Sequence, residues 1–152
     1  MRFYDFQVVF QEVPGQISLC FNISGCPLRC EGCHSPYLWK KNNGEKLTDE
    51  YFKKILKKYE GYATCVLFMG GEWHLSELKS KLKIAKSQGF FTCLYTGENK
   101  INNELLNLLT WVKLGPWINS RGGLDNSKTN QRFVQIKNNK TLNNLFIKKH
   151  AL

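Results

Sequence analysis

The stretch that decides the fold reads ISLCFNI over residues 17–23 and SGCPLRCEGC over residues 24–33. Its first part alternates loosely between apolar and polar side chains, and this pattern predicts a β-strand. Three cysteines follow within the next stretch, at Cys26, Cys30 and Cys33. The sequence therefore places a cysteine-rich loop directly at the end of a buried strand.

Beyond this loop, apolar segments of strand length alternate with segments of helical periodicity. Thr48 with two following acids is typical of a helix start, and further helical patterns begin near Leu75 and Ile101. Near-continuous apolar runs suit parallel strands that are covered on both faces, and they lie at 63–69, 90–95, 111–114 and 133–136. Alternating strands and helices predict an α/β fold with a parallel sheet. Since a complete eight-stranded barrel needs roughly 250 residues, we expect a partial, open β/α barrel that forms a single domain over residues 1–152.

Composition excludes several classes of protein. No apolar run approaches the roughly 20 residues that span a bilayer, and the N-terminus lacks the features of a signal peptide, so we expect a cytoplasmic protein without a membrane partner. The net charge is +10, but only four of the 22 basic residues are Arg. Lysines at helical spacing are typical of solvated helix faces or of a docking surface for an acidic electron donor. We expect no nucleic acid partner.

The remaining cysteines, Cys20, Cys65 and Cys93, each lie alone in an apolar run. Free cysteine is among the most buried residue types, and nothing in the sequence indicates the oxidising compartment that a disulfide framework requires. We predict that these three are small core residues.

The loop cysteines have the spacing Cys-x3-Cys-x2-Cys. Thiolates are the usual ligands of iron–sulfur clusters, which normally take four. Three ligands, Cys26, Cys30 and Cys33, leave one iron open, as in catalytic rather than structural metal sites. Such an iron can be chelated by the amino and carboxylate groups of S-adenosylmethionine.

The alternative for this loop is a zinc site formed by the three cysteines and His34. Adjacent Cys33 and His34 cannot easily reach one tetrahedral ion. The other two histidines, His74 and His150, do not form a second ligand pair at zinc-finger spacing. The spacing favours the cluster.

These motifs, taken together, resemble the radical S-adenosylmethionine superfamily and, more narrowly, the activating proteins of anaerobic (class III) ribonucleoside-triphosphate reductases. The cysteine motif carries the broader resemblance. The resemblance as a whole rests on residues 22–39, 68–72, 114–118, 122–125 and 129–132. The narrower one depends on the combination of the cysteine motif with the short length of the chain, the downstream tryptophan and the late Asn130-Gln131-Arg132 segment.

The resemblance implies a partial barrel of the radical S-adenosylmethionine type and a defined reaction. With a [4Fe-4S] cluster and S-adenosylmethionine as cofactors, a 5′-deoxyadenosyl radical would abstract hydrogen from a glycine of the large reductase subunit. The implied partners are that subunit and a low-potential electron donor such as a flavodoxin. No catalytic side chain is implied beyond the groups that hold the cluster and the cofactor.

The resemblance also assigns cofactor contacts. Gly32, Cys33 and His34 would line S-adenosylmethionine, Gly70 and Gly71 would admit its methionine part because glycine lacks a Cβ, and Glu72 would accept from its ammonium group. Asn130 and Arg132 either meet the cofactor's carboxylate or ribose or cap the last strand. Lys113 either faces the site or extends to solvent.

Two positions depart from the family pattern. Gly32 stands where many radical enzymes have an aromatic residue that contacts adenine, so the adenine partner stays open between Tyr37 and Trp39. Glu72-Trp73 replaces the Asp-Pro that follows the glycine pair in many activating proteins.

Two other functions remain open at this point. A compact radical enzyme acting on a small molecule, such as a deazapurine synthase, would share the cysteine loop. A basic zinc protein that binds nucleic acid fits the charge and the thiols, but the sequence lacks interleaved aromatic and Arg residues.

Overall fold

The computed structural model describes residues 1–147, so His150 and the end of the predicted domain lie outside the described residues. Within these residues, one sheet of eight strands has the order β3-β1-β2-β4-β5-β6-β7-β8. The strands are β1 Arg2–Val9, β2 Ser18–Ile23, β3 Glu45–Lys46, β4 Cys65–Met69, β5 Phe91–Tyr95, β6 Trp111–Leu114, β7 Arg132–Gln135 and β8 Lys140–Thr141. The helices are α1 Asp49–Lys58, α2 Leu75–Ser87 and α3 Asn103–Leu106.

The centre of the sheet confirms the predicted α/β class. Strands β2, β4, β5 and β6 are parallel neighbours, and α1, α2 and α3 lie in the connections between them. Their carboxyl ends therefore meet at one edge of the sheet, where α/β proteins bind ligands. The sheet is open, with β3 and β8 at its two sides, and barrel geometry stays a prediction.

The flanks of the sheet differ from the predicted parallel arrangement. The last predicted strand, β7, pairs antiparallel with β6, and β1, which the sequence pattern did not indicate, pairs antiparallel with β2. A parallel return normally needs a helical crossover. The β6–β7 connection, residues 115–131, consists of turns with no helix, so the chain returns in the opposite direction.

Aromatic packing dominates the face of the sheet that the helices cover. Phe21 on β2 is fully buried, and its ring lies 5.1–5.9 Å from four others. Those rings belong to Phe3, Phe6, Phe52 and Phe68. Since β2 ends in the cysteine loop, this packing anchors the start of the loop.

The opposite face of the sheet contains the three isolated cysteines. Cys20, Cys65 and Cys93 are buried and free, and they pack with Leu67 and Phe133. Burial raises the pKa of Cys20 and of Cys65 to about 12. The prediction that these cysteines are core residues is confirmed.

The sequence signals for helix starts predicted α1 correctly but overestimated the length of α3. The Thr48 side chain accepts a hydrogen bond from the Tyr51 amide and caps α1, as predicted. The pattern that begins at Ile101 yields only the single turn of α3. Within residues 1–147, no helix combines the length and the apolar character needed to cross a lipid bilayer.

Candidate cofactor site

A cavity of about 340 Å³ lies at the carboxyl ends of the four parallel strands. Each of these strands, or the loop after it, contributes lining side chains. Among them are Cys26 and Cys33 after β2, Glu72 after β4, Thr96 after β5 and Lys113 on β6. The topology thus brings together loops that are far apart in sequence.

Backbone hydrogen bonds hold the start of the cysteine loop and close a turn at its end. The amides of Gly25 and Cys26 donate to the Leu38 carbonyl at 2.7 and 3.0 Å, and the Cys33 amide donates to the Cys30 carbonyl at 3.1 Å. Arg29 has φ +48°, in the left-handed region that few residues other than glycine adopt. The loop is therefore a series of tight turns that returns beside its starting strand.

The three loop thiols are free and half-buried. Cys26 and Cys33 line the cavity, and Cys30 Sγ lies 3.9 Å from the position of a Cβ built on Gly97, which is also a lining residue. Burial raises the pKa of the Cys26 thiol, and the amides of Leu28 and Arg29 oppose this shift.

The thiols do not converge on one point. Among the residues that the structure describes, no three His, Cys, Asp or Glu side chains are close enough together to hold one metal ion. The donor set still suits an iron–sulfur cluster, because three free thiols lie on one loop. Two of them, Cys26 and Cys33, line the cavity together with Glu72 and Lys113. Each thiolate of such a cluster binds a different iron, so the three sulfurs need not converge on one ion.

Glu72 is arranged to receive a cation. One carboxylate oxygen accepts from the Thr96 hydroxyl, and the other is buried without a hydrogen-bond partner. Burial raises the pKa of Glu72, while the Thr96 hydroxyl lowers it. Because an unpaired buried carboxylate oxygen is costly, its position in the cavity favours a ligand that donates hydrogen bonds.

Lys113 faces the cavity rather than solvent, which decides between the two positions that the sequence left open. Its ammonium group donates to the Gly115 carbonyl at 2.8 Å and to the Thr96 carbonyl at 3.3 Å. Burial lowers its pKa to about 8, so the group is mainly protonated at pH 7.

The aromatic residue beside the cysteine loop is Trp117. Its ring centroid lies 4.4 Å from that of His34, and its Nε1 is buried without a partner. The two residues proposed for adenine lie elsewhere: Tyr37 is exposed and contacts the Tyr4 ring at 4.7 Å, and neither Tyr37 nor Trp39 lines the cavity. The sequence signal for Trp117 was its place directly after Gly115-Pro116, at a strand end.

Of the glycine pair, Gly70 lines the cavity. A Cβ on Gly70, whose φ is +80°, would lie 2.5 Å from Cη2 of Trp73. A Cβ on Gly71 would instead meet Ile23 at 3.3 Å and Met1 at 3.4 Å. Gly71 thus allows close packing behind the site.

The remaining predicted contacts are dispersed. Gly32 is exposed next to Trp117 and Asn119. Asn130 donates to the Pro116 carbonyl at 2.9 Å, and its side-chain oxygen is buried without a partner. Arg132 is exposed and lines a separate groove over β6 and β7. Arg132 therefore lies away from the cavity in which the cofactor carboxylate was predicted to bind. Successive residues of β7 point to opposite faces of the sheet, and Arg132 is on the face that lines this groove.

Comparisons with known proteins agree with the prediction that the cysteine loop belongs to an iron–sulfur protein. A family model described as a 4Fe-4S single cluster domain matches residues 14–113. A pyruvate formate-lyase-activating enzyme from Clostridium pasteurianum is 37% identical over 89 residues, which cover 55% of this chain and 37% of the relative. A 7-carboxy-7-deazaguanine synthase from Buchnera aphidicola subsp. Schizaphis graminum (strain Sg) is 25% identical over 145 residues, which cover 78% of this chain and 64% of the relative.

The chain belongs to the 4Fe-4S single cluster domain family. The two relatives support its place in the radical S-adenosylmethionine superfamily and the presence of a [4Fe-4S] cluster. The matched segments span between about a third and two thirds of the relatives' own lengths.

Proposed function

We propose that this chain activates the anaerobic ribonucleoside-triphosphate reductase by generating a glycyl radical in the large subunit of that enzyme. The observation that carries the proposal is the cavity that two thiols of the three-cysteine loop, Cys26 and Cys33, line together with Glu72, one of whose oxygens is buried without a partner. The similarity to a glycyl-radical activating enzyme from Clostridium pasteurianum supports the reaction class. The late segments at 114–118, 122–125 and 129–132 support the reductase as the target.

In this proposal Cys26, Cys30 and Cys33 bind the cluster and Glu72 receives the ammonium group of S-adenosylmethionine. The bound cluster and cofactor supply reductive cleavage of the sulfonium and a radical that abstracts hydrogen. The chain's own groups would orient the cofactor: Gly70 lines the cavity, and Trp117 and His34, whose rings are in contact, line it next to the cysteine loop. An acidic low-potential donor such as a flavodoxin is the electron source that a chain of net charge +10 would bind.

The first test separates the loop thiols from the core thiols. After anaerobic reconstitution with iron and sulfide, Cys30→Ala should lose most of its iron and all cleavage of S-adenosylmethionine. Cys65→Ala is the matched control, because that thiol is fully buried in the core and should leave iron content unchanged. Equal iron in Cys30→Ala and the wild type would contradict the assignment.

The second test identifies the substrate. The reduced, reconstituted chain is mixed with the large reductase subunit and S-adenosylmethionine, and electron paramagnetic resonance should detect a glycine-centred doublet. A chain that cleaves S-adenosylmethionine but gives no doublet would instead favour a small-molecule substrate. That second candidate is supported by the similarity to 7-carboxy-7-deazaguanine synthase over 78% of the chain, and formation of the deazapurine product would establish it.

A further inference from the structure

The layer of helices on the sheet ends at α3. The connection from β6 to β7, residues 115–131, contains no helix, and its Leu124 packs on the opposite face with the buried cysteines. On the helix side, Val112 of β6 and Val134 of β7 belong to the core that α1 and α2 cover, but only the single turn of α3 lies beside them. Since α/β proteins normally bury such a face under helices, this part of the sheet lacks a covering helix among residues 1–147.

A groove of about 450 Å³ lies on this uncovered face. In the register of β6 and β7, Val112 lies opposite Val134 and Leu114 lies opposite Arg132. The apolar members of these pairs form the floor of the groove together with Ile136, and Leu114 and Ile136 are only half-buried. A contiguous apolar surface with a polar rim is typical of a protein interaction site.

The rim of the groove is basic. Lys100 and Arg132 line it, and among the described residues no acidic side chain does. Both cations are exposed, and neither takes part in the ion pairs found within residues 1–147. An acidic partner is therefore the one whose charge complements this groove. The other polar residues of the rim are asparagines, at positions Asn99, Asn103, Asn107 and Asn139.

The groove is continuous with the candidate cofactor site. A smaller depression of about 320 Å³ lies between them. It shares Glu72 and Trp73 with the cofactor cavity, and it shares Lys100 and Ile101 with the groove. A protein that places one segment in the cavity can therefore extend along this path and contact the groove at the same time.

We propose that the groove binds an acidic amphipathic helix of the large reductase subunit. The apolar side of that helix covers the floor, and its acids pair with Lys100 and Arg132, in the helix-in-groove mode of recognition. This inference rests on the proposed function, because a protein that delivers its own glycine to the cavity must dock beside it, whereas an electron donor needs only to approach the cluster.

The experiment measures how much large subunit the chain requires. The reconstituted protein is reduced with dithionite, so that no protein donor takes part, and the glycine-centred doublet is followed against the concentration of large subunit. The double variant Lys100→Glu, Arg132→Glu should raise the apparent KM for the large subunit by about 10- to 100-fold, because it places like charges opposite each other. Its iron content and its cleavage of S-adenosylmethionine without the large subunit should stay at the wild-type level.

The matched control is the double variant Lys54→Glu, Lys86→Glu, which lowers the net charge by the same amount. Both lysines are exposed, one on α1 and one on α2, and neither lines the groove. Its apparent KM should stay close to that of the wild type. The comparison thus separates the groove from the overall charge of the chain.

A variant that gains affinity protects the test against misfolding, since a damaged protein does not bind better. Asn107 is exposed, lines the groove and has right-handed helical backbone at the end of α3, where a cation is favoured by the helix dipole. Asn107→Lys adds a third cation to the rim and should lower the apparent KM about 2- to 5-fold. Added salt should weaken this gain, because it screens exposed charges.

The outcomes separate this inference from the proposed function. An iron-loaded Lys100→Glu, Arg132→Glu protein with the wild-type KM would overturn the docking site and leave the proposed function standing. If that protein instead accepted electrons more slowly from reduced flavodoxin, the groove would belong to the electron donor. Equal increases in KM for this variant and its control would also overturn the docking site. A wild-type protein that cleaves S-adenosylmethionine but gives no doublet with the large subunit would overturn the proposed function and this inference with it.

Discussion

The contact between Gly70 and Trp73 offers a stringent test of the site's packing. Gly70 has φ +80°, and a Cβ there would lie 2.5 Å from Cη2 and 3.1 Å from Cζ3 of the Trp73 indole. Both distances are shorter than an ordinary van der Waals contact. We expect Gly70→Ala to destabilise the protein through two separate effects.

The first effect is backbone strain, because the left-handed conformation costs a residue with a Cβ about 1–2 kcal/mol. The second is overpacking against the indole, which costs about 1–3 kcal/mol. Gly70→Ala should therefore lower the free energy of unfolding by about 2–5 kcal/mol. Urea denaturation of the iron-free, reduced protein, followed by circular dichroism, measures this change.

Gly89→Ala provides the matched control. Gly89 has φ +84° but nothing within 4 Å of an added Cβ, so only the backbone strain applies. The difference between the two variants isolates the contact with Trp73. In a Trp73→Leu background the two substitutions should cost the same, since the clashing ring atoms are gone. Equal losses in the wild-type background would refute the reasoning.

Three further predictions concern other parts of the fold. Phe21→Ala, which removes a fully buried ring, should cost about 3–5 kcal/mol in urea denaturation; a loss below 1 kcal/mol would show that the core closes around the gap. The Lys81 ammonium holds the pKa of Asp49 below its usual range, so this pair stabilises the fold above the unfolded pKa of about 4 and loses its effect as the pH falls further. Lys81→Met should therefore make the unfolding free energy less dependent on pH below about 4, and an unchanged pH profile would contradict the pair. Asn143 accepts from the Phe133 amide and donates to the Gln131 carbonyl, both at 2.8 Å, so Asn143→Ala should cost about 1–3 kcal/mol, whereas the exposed Asn144→Ala should be nearly neutral in the same thermal unfolding assay.

Local patterns in the sequence predicted the central part of the fold. The strands β2, β4, β5 and β6 and the helices α1 and α2 were each indicated by short apolar runs or by helical periodicity. These signals are reliable where a strand is covered on both faces, because nearly all of its side chains must then be apolar. The burial of Cys20, Cys65 and Cys93 followed from the same reasoning.

The edges of the sheet were less predictable. β1 has one half-exposed face with charged and polar residues, so its pattern is weak. The antiparallel direction of β7 depends on the path of residues 115–131. Contacts such as the hydrogen bond from Asn130 to the Pro116 carbonyl determine that path. No periodic pattern in the sequence predicts such contacts.

The sequence by itself determined the donor chemistry: three thiols on one loop, a glycine pair and a carboxylate, each following a strand. Only the tertiary structure decided which other side chains share the cavity with them. It brought in Lys113, Thr96 and Trp117 and left out Arg132, Tyr37 and Trp39. The physical reason is that a spacing along the chain specifies groups within one loop, whereas neighbours on different strands depend on sheet order, on register and on which face each residue takes.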